Sequence, residues 1–258
     1  KKYRPNWRKP LKSKYRGFDV VTMGPPSSGG IHLIQMLNIL ENHNLKSFGH
    51  NNPRYVSLLT EVMKYAYADR SEYLGDPDFY KVPVDMLTSK EYSDAINQSL
   101  KLFKFMTPPP TPSSSIEPGE YMRKESIETT HYSIADQYGN IISNTYTLNS
   151  AYGSGVTIEG TGILMNNEMD DFSASPGTPN QFGLLGGEAN KIVPEKRPLS
   201  SMTPTIILKE GTPYFATGTP GGSRIITSVL QSILNIIDFE LEVSDAILKP
   251  RIHHQWYP

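Results

Sequence analysis

Cysteine is absent from this sequence of 258 residues. Disulfide bonds, thiolate nucleophiles and cysteine-ligated metal sites are therefore excluded, although the absence says nothing firm about the cellular compartment. No apolar run approaches the length of a membrane span, and no signal-peptide pattern opens the sequence. The formal net charge is only −1, which implies no overall attraction to nucleic acid. Because the sequence does not begin with methionine, we expect it to be a piece of a longer chain.

Several common catalytic motifs are also missing. The sequence contains no G-x-S-x-G elbow, no H-E-x-x-H helix, no phosphate-binding lysine motif and no dinucleotide fingerprint. The glycine-rich stretch from Gly218 to Ser223 could cradle phosphate, but its backbone N–H groups suit any oxyanion equally well. His253 and His254 are adjacent, face different ways in any regular element, and so do not predict a shared metal site. Asp76 and Asp78 lack the glycine and glutamate of a calcium loop and predict a plain turn.

The first sixteen residues are strongly basic, with eight lysines and arginines and no acidic residue. Two interpretations are open, a nucleic-acid-binding arm and a solvated segment that leads into a strand. The second is favoured, because runs of charge are usually solvated.

Hydrophobic periodicity predicts strands and helices without regular βαβ alternation. Strands are expected at 18–22, 204–209 and 214–219, and a third helix at 89–103. A buried helix should follow the loop that ends at Ser27-Ser28, with a serine as its cap, and another should open at Asn52-Pro53. A last helix carries inward apolar residues from Ile225 to Ile237. Together these elements predict a mixed α/β sandwich and not a doubly wound sheet.

A change of character separates the chain into two parts. Residues 104–128 include the run Thr107 to Ser115, which is rich in proline and serine and predicts an extended linker. After it, Thr129 opens a predicted β-hairpin whose turn is Asp136-Gln137-Tyr138-Gly139-Asn140. We expect residues 1–128 and 129–258 to be distinct segments that together form one structural domain.

Two interpretations of Thr129 are open, a structural role and a catalytic role. Threonine is common at the start of strands, so an ordinary structural role is the simpler interpretation. A threonine hydroxyl becomes a nucleophile when a base lies beside it, and the free α-amino group of the same residue is one such base. That arrangement requires cleavage of the chain before Thr129, and the predicted linker offers a place for it.

Seven motifs together resemble the γ-glutamyltranspeptidase family, and they occur in the family's order across nearly the whole chain. In sequence order they are Pro25-Pro26-Ser27-Ser28-Gly29-Gly30, Tyr65-Ala66-Tyr67-Ala68-Asp69-Arg70, Thr129-Thr130-His131-Tyr132-Ser133, Met169-Asp170-Asp171-Phe172-Ser173, Lys196-Arg197-Pro198-Leu199-Ser200-Ser201-Met202, Pro220-Gly221-Gly222-Ser223-Arg224-Ile225-Ile226-Thr227 and Pro250-Arg251-Ile252-His253-His254-Gln255-Trp256. Each motif alone is modest, but seven in order are specific.

The resemblance implies an α+β fold of the N-terminal-nucleophile hydrolase type, a four-layer αββα sandwich present here in part. It also implies autocatalytic cleavage between Glu128 and Thr129. Residues 1–128 would then be the end of a large subunit, 129–258 the start of a small subunit, and the two would stay associated.

The resemblance further assigns roles to nine residues. Thr129 would be the nucleophile, and Thr147 would position its hydroxyl. The remaining roles would be an oxyanion hole from Gly221 and Gly222, a carboxylate site from Ser200 and Ser201, and an ammonium site from Asn149, Glu168 and Asp171. An arginine that also binds the substrate carboxylate is expected outside this sequence.

The implied substrate is glutathione or another γ-glutamyl donor, with water, an amino acid or a peptide as acceptor. No metal or organic cofactor is implied, and the implied location is periplasmic or extracellular. The loop 176–187 resembles a lid in which Phe182 replaces a tyrosine found in some members. Two alternatives remain: a related acylase, acting on β-lactam side chains or poly-γ-glutamate, and an inactive, unprocessed fragment that persists as a binding domain.

Overall fold

The protein is described by a computed structural model over residues 4–105 and 129–257. Six strands form two sheets, and helices cover one face of the larger sheet. The strands are β1 (Leu11–Tyr15), β2 (Phe18–Thr22), β3 (Thr130–Ala135), β4 (Ile141–Tyr146), β5 (Thr205–Lys209) and β6 (Thr212–Thr217). The helices are α1 (Gly29–Glu41), α2 (Leu45–Phe48), α3 (Pro53–Tyr73), α4 (Val84–Leu87), α5 (Lys90–Phe105), α6 (Ile225–Ile237) and α7 (Val243–Leu248). Among these residues, no helix has the length and apolarity needed to cross a membrane.

The larger sheet has the order β1-β2-β5-β6 and is antiparallel throughout. Strand β2 precedes Thr129 and pairs with β5, which follows it, so that Val20 lies opposite Ile207. Both side chains are fully buried in the main core with apolar residues of α1, α3, α5 and α6. The sheet therefore combines strands from the segment before residues 106–128 and from the segment after them. Residues 106–128, which make up most of the predicted linker, lie outside the described residues.

The β3–β4 hairpin forms the second sheet, and its predicted turn is confirmed. The Asp136 carboxylate accepts hydrogen bonds from the backbone N–H groups of Tyr138 and Asn140, while Gly139 adopts a φ of +83°. Glycine adopts this left-handed conformation without steric cost, because it has no Cβ.

One face of the hairpin packs on the larger sheet. Ser143 of β4 donates to the carbonyl of Thr217 (3.1 Å) and accepts from the N–H of Thr205 (3.1 Å). It lines a groove with Val21 and Ile206, whose side chains alternate with those of the buried Val20 and Ile207. The hairpin thus covers the sheet face opposite the helices. Its outer face exposes Tyr132, Ile134, Ile142 and Tyr146, so the described residues form helical, sheet and sheet layers of the predicted sandwich.

Three expectations need correction. Strand β1 was not predicted, because its lysines mask a short alternating pattern in which Lys12 and Lys14 are exposed and Tyr15 is buried. Helix α5 continues through Phe105, so the linker does not begin at residue 104 as predicted. The helix is longer because residues that favour helix extend almost to the proline run, where a helix must end. The side chain of Ser28 does not cap α1; it reaches across to the segment around Ser200, as described below.

The basic segment near the start of the chain contacts the acidic turn that contains Asp76 and Asp78. Arg8 donates to both carboxylate oxygens of Asp78 (3.1 and 2.6 Å) and lies 3.5 Å from Asp76. Asp76 is fully buried and accepts from the N–H groups of Asp78 and Arg197. The predicted plain turn is confirmed, and the basic segment contributes to it through an ion pair.

Candidate active site

A small cavity at the end of the hairpin gathers most of the predicted site residues. It is lined by Thr129, Thr147, Asn149, Asp171, Phe182, Ser200, Ser201, Met202, Gly222 and Ile225. Seven of the nine predicted residues are on that wall. The other two are neighbours of the wall: Gly221 precedes Gly222, and Glu168 lies against Asp171, since each carboxyl perturbs the other's pKa through a hydrogen bond.

Thr129 lies directly before β3, and its predicted partner Thr147 directly follows β4. Its hydroxyl donates to Thr147 Oγ1 at 3.3 Å. The Thr147 oxygen also accepts from the N–H of Asn149 at 2.9 Å, which holds it in place. Pairing of Thr130 with Tyr146 sets the register that brings the two threonines together.

The glycine-rich turn also contributes to the cavity wall, through Gly222. Gly221 has a φ of +132° and Gly222 a φ of +53°, conformations that other residues rarely adopt. The turn leads through one 3₁₀ turn (Gly222–Arg224) into α6, so its backbone N–H groups lie at a helix N-terminus. The Phe182 ring packs on Gly222 so closely that a Cβ there would lie 2.7 Å from the ring. Phe182 thus encloses the cavity with an apolar surface where a tyrosine would add a hydroxyl.

The serine pair is held by the loop before α1. Ser28 donates to the Ser200 carbonyl through both its N–H (2.9 Å) and its hydroxyl (2.9 Å), and the Ser200 N–H donates to the Pro26 carbonyl (2.9 Å). The Ser27 hydroxyl donates to the Met202 carbonyl at 2.7 Å. The Ser27 hydroxyl also accepts from the N–H of Gly29, the first residue of α1, at 3.2 Å. Together these bonds fix the backbone of Ser200 and Ser201 against α1.

Another part of the cavity wall is acidic, because Asp171 lines it beside Ser200 and Ser201. Burial, followed by the negative charge of Glu168, raises the pKa of Asp171 to about 8, while the positive charge of Arg70 opposes the shift. Burial likewise raises the pKa of Glu168. Two close carboxyls share a proton more readily than they both ionise, and an ammonium group placed between them would favour full ionisation. The Asn149 side chain donates to the carbonyl of Asn167 at 3.3 Å, next to this acidic pair.

Two residues that hold the site were not singled out from the sequence. Arg70 on α3 is 4% exposed, and its guanidinium donates to Ser201 Oγ at 3.2 Å. Asn190 is buried; it donates to the Asp171 carbonyl at 2.7 Å and accepts from the Leu199 N–H at 3.1 Å. Arg70 closes one of the seven motifs, which was the available signal. Asn190 stands in no motif, and only tertiary contacts reveal it.

The cavity therefore joins a hydroxyl, a turn of backbone N–H groups, two further hydroxyls and a carboxyl pair. Such a set can attack a carbonyl, stabilise the resulting oxyanion and hold a zwitterion. Over residues 4–105 and 129–257, no group of three His, Cys, Asp or Glu side chains could hold a metal ion.

Comparison with solved structures identifies the class of fold. The crystal structure of cephalosporin acylase from Bacillus halodurans matches with a TM-score of 0.70 and 27% sequence identity, covering 93% of this chain and 39% of that one. The fold is that of the N-terminal-nucleophile hydrolases, as the motifs predicted.

Sequence comparison identifies the family. The family model for gamma-glutamyltranspeptidase matches residues 1–258, so the chain belongs to this family. It is 52% identical over 256 residues to the glutathione hydrolase proenzyme of Escherichia coli (strain K12), covering 99% of this chain and 43% of that protein. It is 46% identical over 249 residues to the glutathione hydrolase proenzyme of Pseudomonas sp. (strain A14), covering 96% of this chain and 42% of that protein. The chain thus spans less than half the length of these relatives, and both are named as precursors.

Proposed function

We propose that this chain carries the catalytic centre of a γ-glutamyl hydrolase and transferase that acts on glutathione and related γ-glutamyl compounds. The observation that carries the proposal is the placement of the Thr129 hydroxyl 3.3 Å from Thr147 Oγ1, in one cavity with Asp171 and the serine pair. The names of the relatives support it, since glutathione hydrolase proenzymes match almost the whole chain.

The first step would be cleavage of the peptide bond between Glu128 and Thr129, which frees the α-amino group of Thr129. That amine, with an ordinary pKa of about 7.7–8.0, is a suitable base for its own hydroxyl near neutral pH. The segments before and after the cleavage point would remain together, because β2 and β5 pair and share one buried core.

The donor would bind as a zwitterion. Its α-carboxylate, which only accepts hydrogen bonds, suits the hydroxyls of Ser200 and Ser201. Its α-ammonium suits the carboxyls of Asp171 and Glu168, with Asn149 beside them. This placement puts the γ-carbonyl toward Thr129, at the opposite end of the donor's side chain.

Catalysis would proceed through a threonyl ester. The Thr129 oxygen bonds to the γ-carbonyl carbon while its proton passes to the α-amino group, and the N–H groups of Gly221 and Gly222 stabilise the oxyanion. Breaking the amide bond releases the amine with that proton. Water, or the amine of an amino acid or peptide, then attacks the ester and frees Thr129, with no metal or organic cofactor required.

Two measurements on the full-length protein test the proposal. Amino-terminal sequencing should show Thr-Thr-His-Tyr as a new start, and the protein should release 4-nitroaniline from γ-glutamyl-4-nitroanilide. Thr129→Ala should abolish both processing and release, and Thr129→Ser, which keeps a hydroxyl, is the matched control that should retain part of each. A Thr129→Ala protein that still splits and still releases 4-nitroaniline would contradict the proposal.

An acylase is the second candidate, since the fold also matches a cephalosporin acylase. Rates on glutathione, a glutaryl amide and poly-γ-glutamate would separate the two, because a glutaryl group lacks the ammonium that the acidic end of the cavity suits. We also propose a periplasmic or extracellular location, by resemblance to the family, which cell fractionation would test. An uncleaved chain without turnover on any of these substrates would indicate an inactive fragment.

A further inference from the structure

Arg70 is a buried cation that forms no close ion pair with a carboxylate in the described part of the chain. Its Nε donates to Ser28 Oγ at 3.1 Å and its Nη2 to Ser201 Oγ at 3.2 Å. No salt bridge within 4.0 Å joins it to a carboxylate among residues 4–105 and 129–257. Burying an unpaired charge is costly, so a guanidinium in this place needs a compensating anion or a functional reason to remain.

The nearest ionisable neighbour on α3 does not neutralise it. Asp69 is committed elsewhere, because it accepts hydrogen bonds from Gln35 (2.5 Å) and Tyr92 (3.0 Å). His32 faces the same region, and burial lowers its pKa to about 3, so it is neutral. Asp171 interacts with Arg70 through charge, without a salt bridge within 4.0 Å. The positive charge of Arg70 therefore acts on the cavity across Ser201.

The hydrogen bond from Arg70 decides what the Ser201 hydroxyl can do. A serine hydroxyl has one hydrogen to donate and lone pairs that accept. Since the guanidinium can only donate, Ser201 Oγ must be the acceptor, and its own hydrogen remains for a partner elsewhere. Ser200 is set in the same way, because its Oγ accepts from the Met202 N–H at 3.0 Å. Both hydroxyls line the cavity, so both can present a donor to it.

The charges around the cavity and the hydrogen-bond donors on its wall favour the same kind of ligand. Two hydroxyl donors with a buried cation behind one of them favour an anion, whereas Asp171 on the same cavity wall favours a cation. Arg70 does not line the cavity, so it would touch no substrate atom. Its hydrogen bond reaches the cavity through Ser201, and its charge also acts on Asp171.

We propose that Arg70 is a positioning residue that turns the Ser201 hydroxyl into a fixed donor for the α-carboxylate of the donor substrate. The proposal rests on the proposed function and deepens it, because it makes α-carboxylate recognition depend on α3, a helix of the segment that precedes Thr129. The arginine expected outside this sequence would contact the carboxylate directly, whereas Arg70 acts from behind the serine.

The test compares two donors that differ only in the α-carboxylate. γ-Glutamyl-4-nitroanilide carries it, and 4-aminobutyryl-4-nitroanilide lacks it while keeping the amine. In the full-length protein, Arg70→Met should lower kcat/KM for the first donor about 10- to 100-fold, the range for losing a hydrogen bond to a charged group, mainly through KM. The second donor should change less than about threefold, since its reaction never used the carboxylate site.

Further variants make the test specific. Arg70→Lys keeps the charge and a donor and should restore part of the donor preference, whereas Arg70→Gln, a second neutral variant, should lose it as Arg70→Met does. Combining Arg70→Met with Ser201→Ala should cost little more than Ser201→Ala alone, because the two residues act through one hydroxyl. Tyr92→Phe perturbs the same buried polar layer without touching Arg70 and is the control, which should leave the preference unchanged.

Several results would overturn the proposal: equal losses on both donors, an unchanged preference in the neutral variants, or additive losses with Ser201→Ala. If the wild-type protein released nothing from either donor, the proposed function would fail separately. Calorimetric binding of L-glutamate and 4-aminobutyrate would then decide the role of Arg70. Weaker glutamate binding alone in Arg70→Gln supports it, and equal effects on both ligands refute it.

Discussion

Gly218 follows β6 and begins the glycine-rich turn. Replacing it with alanine tests whether the position of the hairpin controls Thr129, the proposed nucleophile. An alanine Cβ at this position would overlap the His131 ring, and even the ring's Cγ would be only 2.7 Å away. Ordinary carbon contacts are about 3.5–4.0 Å, so the ring must move by roughly 1.5 Å. His131 lies on β3, two residues after Thr129, and its Nδ1 is 2.8 Å from Thr145 Oγ1 on β4.

This displacement should lower both the stability of the protein and its activity. Overpacking typically destabilises a protein by about 1–3 kcal/mol, and loss of the bond between His131 and Thr145 adds about 1 kcal/mol. If β3 shifts with the ring, Thr129 directly before it moves away from Thr147, and kcat/KM should fall by up to about 100-fold, a loss that a misplacement of about 1 Å can cause.

The assay is 4-nitroaniline release from γ-glutamyl-4-nitroanilide, together with urea unfolding. Gly211→Ala is the matched control, because Gly211 has a φ of +78° and no atom within 4 Å of the added Cβ. It should lose about 1 kcal/mol of stability through left-handed strain and keep its activity. If Gly218→Ala kept kcat/KM within about twofold of wild type while losing stability, the reasoning that ties hairpin position to Thr129 would be wrong.

Three further outcomes are expected. Glu168→Gln removes the negative charge that raises the pKa of Asp171; the pKa should fall, and the acidic limb of the kcat/KM profile, which rises as Asp171 ionises, should move to lower pH. Tyr15→Phe removes the 2.7 Å hydrogen bond to the buried carboxylate of Asp238, so urea unfolding should show a loss of about 1–3 kcal/mol with unchanged kinetics. Asn190→Ala breaks the bonds that tie Asp171 to the serine segment, and KM for the γ-glutamyl donor should rise about tenfold. An unchanged KM would show that Asp171 and the serine pair are held independently.

The long, strongly periodic elements were predictable. The apolar spacing from Ile225 to Ile237 matches α6 residue for residue, and Asn52-Pro53 marks the start of α3 because Asn52 caps the Arg54 N–H. Phe18–Thr22 was also found exactly. In each case local propensity and burial pattern agree, so the tertiary structure had nothing to override.

Elements that depend on distant partners were missed. Strand β1 has only five residues, and two of them are exposed lysines, so it becomes a strand by pairing with β2. The serines before α1 are common helix caps, and in this fold they cross-link to Ser200 and Met202 more than 170 positions later. No local pattern distinguishes these two uses of a hydroxyl.

The sequence by itself determined the family, through seven motifs in order, and with it the residue types that line the cavity. The tertiary structure decided how those residues meet. Pairing of β3 with β4 brings Thr129 to Thr147, and buried Arg70 sets the polarity of Ser201 from a helix 131 positions away. The physical reason is that a motif consists of residues in sequence order, so the sequence alone reveals it. The direction of a hydroxyl is set by the buried donor that reaches it, and only the tertiary structure shows which donor that is.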